Sequence, residues 1–215
     1  MQKAVIFDLD GTLLDTIDDI ADSMNGMLNA FGYNPINKEK VRTIIGSGAK
    51  KLIADALPEK VSDEKFVKCL EEYNRIYNAS GSPKTKLFDG IAEVVKELKN
   101  RGYKIAVLSN KPQPSTDKVY EKYLKNLPFD MIVGENPKFK CKPDPAGALY
   151  ILEKFGVAPE NAYIVGDGET DVLTALNAKT NGVFALWGNR TKVQLKAVGG
   201  TVFAETPLDL LKLIP

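Results

Sequence analysis

The sequence predicts an α/β fold: a Rossmann-like, doubly wound parallel sheet with a small all-helical domain inserted after the first strand. Three observations predict it. Short runs rich in Val and Ile alternate with helix-period stretches, as in a parallel sheet covered by helices. Two of those runs, Ile105–Leu108 and Tyr163–Val165, are apolar on both faces, which suits strands buried on both sides. From about Thr16 to Ser80 the alternation stops, and only helical spacing is found.

Taken in order, Ala4–Phe7 reads as the first strand. Ile17, Ile20, Ala21, Met24, Leu28 and Phe31 then recur at helical spacing, as do Phe66, Val67, Leu70, Tyr73 and Tyr77. Ser80-Gly81-Ser82-Pro83 reads as a flexible connection. The core resumes with a stripe of Ile91, Val94, Val95 and Leu98 before a stop at Gly102. Strands follow at Lys104–Leu108 and Met131–Val133. Leu149, Leu152 and Phe155 form another stripe before Gly156, and strands follow at Ala162–Val165, Val183–Leu186 and Thr201–Phe203. The expected division is a core of residues 1–15 and 84–215, with residues 16–83 as a helical cap domain. The Met and Tyr residues of the cap stripes read as its own core. No internal repeat interrupts this pattern.

Composition narrows the function. The 215 residues carry a net charge of +1, 44% apolar residues and 27% charged residues, ordinary values for a globular chain. No long block of one sign suggests a nucleic-acid surface. No apolar run approaches the ~18 residues needed to span a bilayer, and Asp8 and Asp10 interrupt the apolar start that a signal peptide would need. Cys69 and Cys141 are too few and too isolated for a disulfide framework. The expectation is a reduced, cytoplasmic protein. There is no histidine, which removes Ser-His-Asp and Cys-His catalysis and disfavours catalytic zinc. Chemistry must run on carboxylates, lysines and hydroxyls.

Ligands of open parallel sheets bind beyond the carboxyl ends of the strands, so the residues there are the candidates for a site. They are Asp8-Leu9-Asp10-Gly11-Thr12, Ser109-Asn110-Lys111, Lys142-Pro143-Asp144-Pro145 and Gly166-Asp167-Gly168-Glu169-Thr170-Asp171. Each has a plain reading. Asp10-Gly11 could be a hairpin turn, Thr170 or Asp171 a helix cap, Ser109 a strand-end hydroxyl, and Lys142 a surface lysine. Together they read differently. Four carboxylates at one sheet edge repel one another and raise each other's pKa values. A hard cation such as Mg2+ offsets that repulsion, and an all-oxygen set suits it. A lysine and a hydroxyl nearby suit an incoming phosphate.

At these four motifs, in this order, the sequence resembles the haloacid dehalogenase-like hydrolase superfamily, in its phosphoglycolate phosphatase-like branch. The resemblance runs along essentially the whole chain, helical insertion included. It implies a nucleophile at Asp8, which would form an aspartyl-phosphate and touch Mg2+. It makes Asp10 the general acid and then base, with its backbone carbonyl on the metal. Ser109 would donate to the phosphoryl group, and Lys142 would neutralise Asp8 and the phosphoryl oxygens. Asp167 and Asp171 would complete the metal site, while Thr12 and Asn110 are expected at the substrate. Dehalogenases of the superfamily typically lack the second aspartate, so Asp10 favours phosphate chemistry. Gly168 departs from the serine or threonine that many relatives place there, which would remove a hydrogen bond beside the metal.

The expected partner is a small phosphorylated metabolite, with no nucleic acid and no membrane; oligomeric state is left open. Specificity is expected from the cap, at Gly46-Ser47-Gly48 before a helix holding Leu52 and Ile53. Amides at a helix N-terminus suit a substrate anion, and relatives that prefer phosphoglycolate carry a similar Gly-x-Gly loop. An ordinary helix–helix turn fits the same residues. Arg42 beside it reads as an anion ligand or a solvated helix residue. Other functions on the same motifs are a sugar-phosphate mutase, a pyrophosphatase or nucleotidase, a receiver-like phosphoacceptor domain, and an inactive binding protein.

Overall fold

The computed structural model describes residues 2–215. Six strands form one parallel sheet in the order β5-β4-β1-β6-β7-β8: β1 (Ala4–Phe7), β4 (Lys104–Pro112), β5 (Met131–Glu135), β6 (Ala162–Gly166), β7 (Asn181–Ala185) and β8 (Phe203–Ala204). β1 lies between β4 and β6, with Phe7 level with Val107 and Val165. The strand order reverses at β1, and the crevice beyond its carboxyl end is where ligands of such sheets bind.

Alternation along each strand sends side chains to two separate cores. Val5, Phe7, Ile105 and Val107 pack with α5 (Ile91–Asn100). Ala4, Ile6, Ala106 and Leu108 pack with α7 (Ala146–Phe155) and α8 (Glu169–Ala178). Period-2 alternation requires this of a strand covered on both sides.

The helices of the first half have their own core. α1 (Ile17–Ala30), α2 (Lys38–Ile44), α3 (Ala49–Ala56) and α4 (Asp63–Ser80) enclose Ile20, Met24, Leu28, Leu52, Ile53 and Tyr73. Asn37 caps α2 and Ser62 caps α4, each accepting an amide hydrogen bond from the first turn. No helix among the described residues is long and apolar enough to cross a membrane.

Four local expectations change. A two-stranded antiparallel pair, β2 (Leu14–Asp15) with β3 (Lys86–Leu87), ties the start of the helical segment to its end. In α7, Leu152 is buried and Phe155 packs on the core as expected, but Ala148 and Ile151 complete the buried face while Leu149 is exposed. In α4, Cys69 is buried and Val67 exposed, since Val67 lies about 100° around the helix from Phe66. The Ser80–Pro83 connection is held in place: Gly81 ends α4 in the left-handed region, and the Ser82 carbonyl accepts from the Tyr123 hydroxyl.

Candidate active site

The acids follow from the sheet. β1 delivers Asp8, whose amide continues the ladder to Val165 O at 2.8 Å. The chain then turns at Gly11, at φ +88°, where a Cβ would lie 2.4 Å from Asp167 Oδ2. Only glycine lets this turn approach the Asp167 carboxylate. β6 ends at Gly166 and delivers Asp167; one turn into α8 comes Asp171, whose Oδ2 accepts from the Gly168 amide at 3.0 Å. Thr170 and Asp171 therefore sit inside the first turn, and Gly168 is the N-cap.

Lys142 is buried at the centre. Its Nζ donates to Asp8 Oδ1 at 2.7 Å and to Asp171 Oδ1 at 2.6 Å. Its backbone is clamped by Asn110, whose Oδ1 accepts from the Lys142 amide at 2.8 Å and whose Nδ2 donates to the Lys142 carbonyl at 3.0 Å. Ser109 is buried, lines the adjoining cavity, and accepts from the Lys111 amide at 3.2 Å. β4 runs on through Ser109-Asn110-Lys111 to Pro112 instead of ending at Leu108. Asp10 turns its carboxylate the other way: Oδ2 lies 3.1 Å from Lys111 Nζ. Its Oδ1 is buried without a hydrogen-bond partner among the described residues.

Burial dominates the electrostatics. It pushes Asp8 well above its ordinary value, against the pull of Lys142 and with added repulsion from Asp171 and Asp167. Burial also raises Asp167, with Asp171 adding to it; hydrogen bonds from Asn189 and Thr12 oppose this, and the result is about 6. Burial disfavours the charge on Lys142, yet Asp171 and Asp8 outweigh it and hold the ammonium above its usual range.

Asp8, Asp167 and Asp171 each bring a carboxylate oxygen within 4.8 Å of the others. Three acids facing one lysine leave uncompensated negative charge in a buried space, which is unfavourable without a further cation. Hard oxygen donors in that arrangement suit Mg2+. The side chain of Asp10 is not among the three; only its backbone remains for the metal role expected of it.

Above Asp8 lies a cavity of ≈ 50 Å³, partly covered by the helical segment. Gly46, Gly48, Leu52, Tyr73 and Tyr77 line it from that side; Asp10, Ser109 and Lys111 line it from the sheet. Three contacts hold the two sides together. Asn110 Nδ2 donates to the Gly46 carbonyl at 3.0 Å. Lys111 Nζ donates to the Tyr77 hydroxyl at 3.1 Å and sits 4.4 Å from that ring's centre. Arg190 donates to the carbonyls of Arg42 and Ile45, at 2.6 and 2.8 Å, while its Nε donates to Glu169 at 2.7 Å.

Asp8, Asp10, Ser109, Asn110, Gly46 and Gly48 thus meet at one cavity. Ser47 does not line it. Thr12 does not either: it is fully buried, and its hydroxyl donates to Asp167 Oδ1 at 3.0 Å. Arg42 is partly exposed, with its side chain 3.6 Å from Glu39 and only its carbonyl engaged by Arg190. Sequence reasoning missed Asn189, whose amide and Nδ2 both donate to Asp167 Oδ2, at 2.7 and 3.0 Å. It also missed Arg190. The clue was Trp187-Gly188-Asn189-Arg190, another polar run at the carboxyl end of a strand.

Comparison with known proteins agrees with this geometry. The sequence profile of haloacid dehalogenase-like hydrolases matches residues 5–185. The phosphoglycolate phosphatase of Aquifex aeolicus is 32% identical over 212 residues, covering 99% of this chain and 96% of the relative. Phosphoglycolate phosphatase 1 of Pseudomonas aeruginosa is 33% identical over 180 residues, covering 81% of this chain and 66% of the relative. A crystal structure from Lactobacillus delbrueckii subsp. bulgaricus, provisionally a phosphoglycolate phosphatase, superposes with a TM-score of 0.92 at 29% identity, covering 100% of this chain and 99% of that one. The chain belongs to the haloacid dehalogenase-like hydrolase family, in its phosphoglycolate phosphatase-like branch, and is an enzyme of the phosphatase type.

Proposed function

We propose that the chain is a Mg2+-dependent phosphatase that hydrolyses a small phosphate monoester, phosphoglycolate in preference, through an aspartyl-phosphate on Asp8. One observation carries the reading: Asp8 lines a cavity with Asp10 beneath the helical segment, while Lys142 donates to its Oδ1 at 2.7 Å. A carboxylate so placed is a nucleophile with its charge managed from behind.

Asp8 attacks phosphorus, the bond to the leaving oxygen breaks, and Asp10 gives that oxygen its proton. Water then attacks the phosphorus of the aspartyl-phosphate and gives its proton to Asp10; phosphate leaves and Asp8 is regenerated. Ser109 donates to the phosphoryl group. Lys142 balances Asp8 and the phosphoryl oxygens. Asp8, Asp167 and Asp171 with the Asp10 carbonyl would hold Mg2+, which when bound neutralises charge on the transferring group. Residues 16–83 act as a cap on the core of residues 1–15 and 84–215, excluding all water but the attacking one.

Two facts support a small leaving group. The cavity offers ≈ 50 Å³ of room beside Asp8, the space of a few water-sized groups. The curated relatives reported above are phosphoglycolate phosphatases.

The test is phosphate release from phosphoglycolate, hexose phosphates, nucleotides and pyrophosphate, with Asp8→Asn as the blank. Phosphoglycolate is expected to give the highest kcat/KM, and Asp8→Asn to lose turnover. Asp8→Asn keeps an acceptor for Lys142 and removes one of three crowded charges, so its Tm should stay equal or rise. Unchanged turnover in that variant removes Asp8 from its role.

A further inference from the structure

Resting on the phosphatase reading above, we propose that Lys111 is the specificity-determining residue of this site: its ammonium receives a carboxylate carried by the leaving group. The cavity has one cation on its walls. Among its lining residues Asp8 and Asp10 are the acids, Lys111 is the only base, and Ile20, Ile45 and Leu52 are apolar. Lys142, the other buried cation nearby, is already shared between Asp8 and Asp171. A phosphoryl group directed at Asp8 and Lys142 leaves any second anion of the substrate to Lys111.

Burying Lys111 is costly and needs a reason. Its side chain is 7% exposed, and burial of an ammonium costs several kcal/mol unless it is compensated. The compensation seen is partial. An ammonium has three donors; one meets the Tyr77 hydroxyl at 3.1 Å and one faces Asp10 Oδ2 at 3.1 Å. The third meets no further acceptor among the described residues, and the cavity it borders is lined in part by Ile20, Ile45 and Leu52. Tyr77 stacks its ring on Tyr73 at 6.1 Å, so the lysine head is backed by two aromatic rings. On the opposite wall α3 begins at Gly48, at φ +83°, where a Cβ would come 3.1 Å from the Asn110 carbonyl. The glycine brings the helix start down to the cavity, and its amides add to the positive field that Lys111 creates. A two-carbon acid between these walls places its carboxylate on Lys111 and its ester oxygen near Asp10.

A competing role is purely local: Lys111 could do no more than position Asp10. Two substrates of equal length separate the roles, phosphoglycolate and ethyl phosphate, which lacks the carboxylate. In Lys111→Met both kcat/KM values are expected to fall, because Asp10 loses its neighbour. Phosphoglycolate should fall roughly 10- to 100-fold further, the fold-change worth of a charge-assisted hydrogen bond. Lys111→Arg should keep most of the preference, and calorimetry with Asp8→Asn should show the same loss in phosphoglycolate affinity when Lys111→Met is added. Should Lys111→Met fail to fold, Lys111→Gln gives the same comparison. Equal losses for the two substrates overturn the assignment of Lys111 and leave the phosphatase reading standing. A native enzyme that prefers ethyl phosphate, or ignores the carboxylate, overturns both the phosphoglycolate preference and this assignment.

Discussion

Asp167 shows how a single carboxylate is kept in position. Thr12 bonds one of its oxygens and Asn189 bonds the other twice, so it cannot rotate without breaking buried hydrogen bonds. On the metal site proposed above, such contacts would fix Asp167 as a ligand, and contacts of this kind are commonly worth 10- to 100-fold in metal affinity. Thr12→Val is therefore expected to raise the Mg2+ concentration for half-maximal activity by roughly 10-fold, with little change at saturating metal. A magnesium titration checks this, and an unaltered midpoint would remove Thr12 from the support of Asp167. The acids and Lys142 were legible because their residue types have few other uses at strand ends. The direction of Thr12 was not, since a hydroxyl in a motif can face a ligand or a neighbour. Asn189 was less legible still: an asparagine in a loop fits many roles until the fold sets it against a carboxylate.

Helix α2 ends at Ile44 with its last carbonyls turned toward the sheet domain, where Arg190 meets them. Those groups have no partner within the helix, so one guanidinium both caps α2 and latches the helical segment shut. Its Nε reaches Glu169, in the first turn of the helix that carries Asp171. Arg190→Ala is expected to lower kcat/KM by about 10- to 100-fold, the loss of one or two hydrogen bonds to a charged group. Steady-state kinetics on the folded variant checks this, and unchanged kcat/KM would show that the latch does not limit closure. The strong elements here were readable from periodicity: β1, β4 and β6 as apolar runs, α1 and α5 as stripes. The β2–β3 pair was not, because two-residue strands are too short to show a period. In α7 only Leu149 was misplaced, because small residues, Gly147 and Ala148, take the buried face at that end of the helix while Leu149 points outward.

Across the whole molecule, charge at the centre sets how stability responds to pH. Asp167 moves from 3.8 to about 6 on folding, and Asp8 moves in the same direction. Between those values the folded state binds more protons than the unfolded one, so stability falls as pH rises from about 4 to about 6. Asp167 alone contributes roughly 3 kcal/mol to that fall at 1.36 kcal/mol per pKa unit. Asp130 is held below its ordinary value, despite burial, by Lys99 and the Ile105 amide, and so acts with opposite sign in the window below pH 4. On the metal site proposed above, Mg2+ would compete with the protons on Asp8 and Asp167, so the Tm gained on adding it should grow as pH rises through 4–6. Differential scanning calorimetry with Mg2+ and with excess chelator checks this; a gain that is flat or shrinks with pH would refute it. Chelation should also abolish phosphate release. Asn110 gives the contact between the helical segment and the sheet one more consequence. A single carboxamide holds the Gly46 carbonyl on one side and the backbone of Lys142 on the other. If the helical segment acts as the proposed cap, lifting it would also loosen the lysine bonded to Asp8, and by reciprocity whatever steadies that lysine would favour the seated segment by the same free energy. Occupancy of the acid cluster should thus be detectable across the cavity, as slower amide exchange in the loop around Gly46.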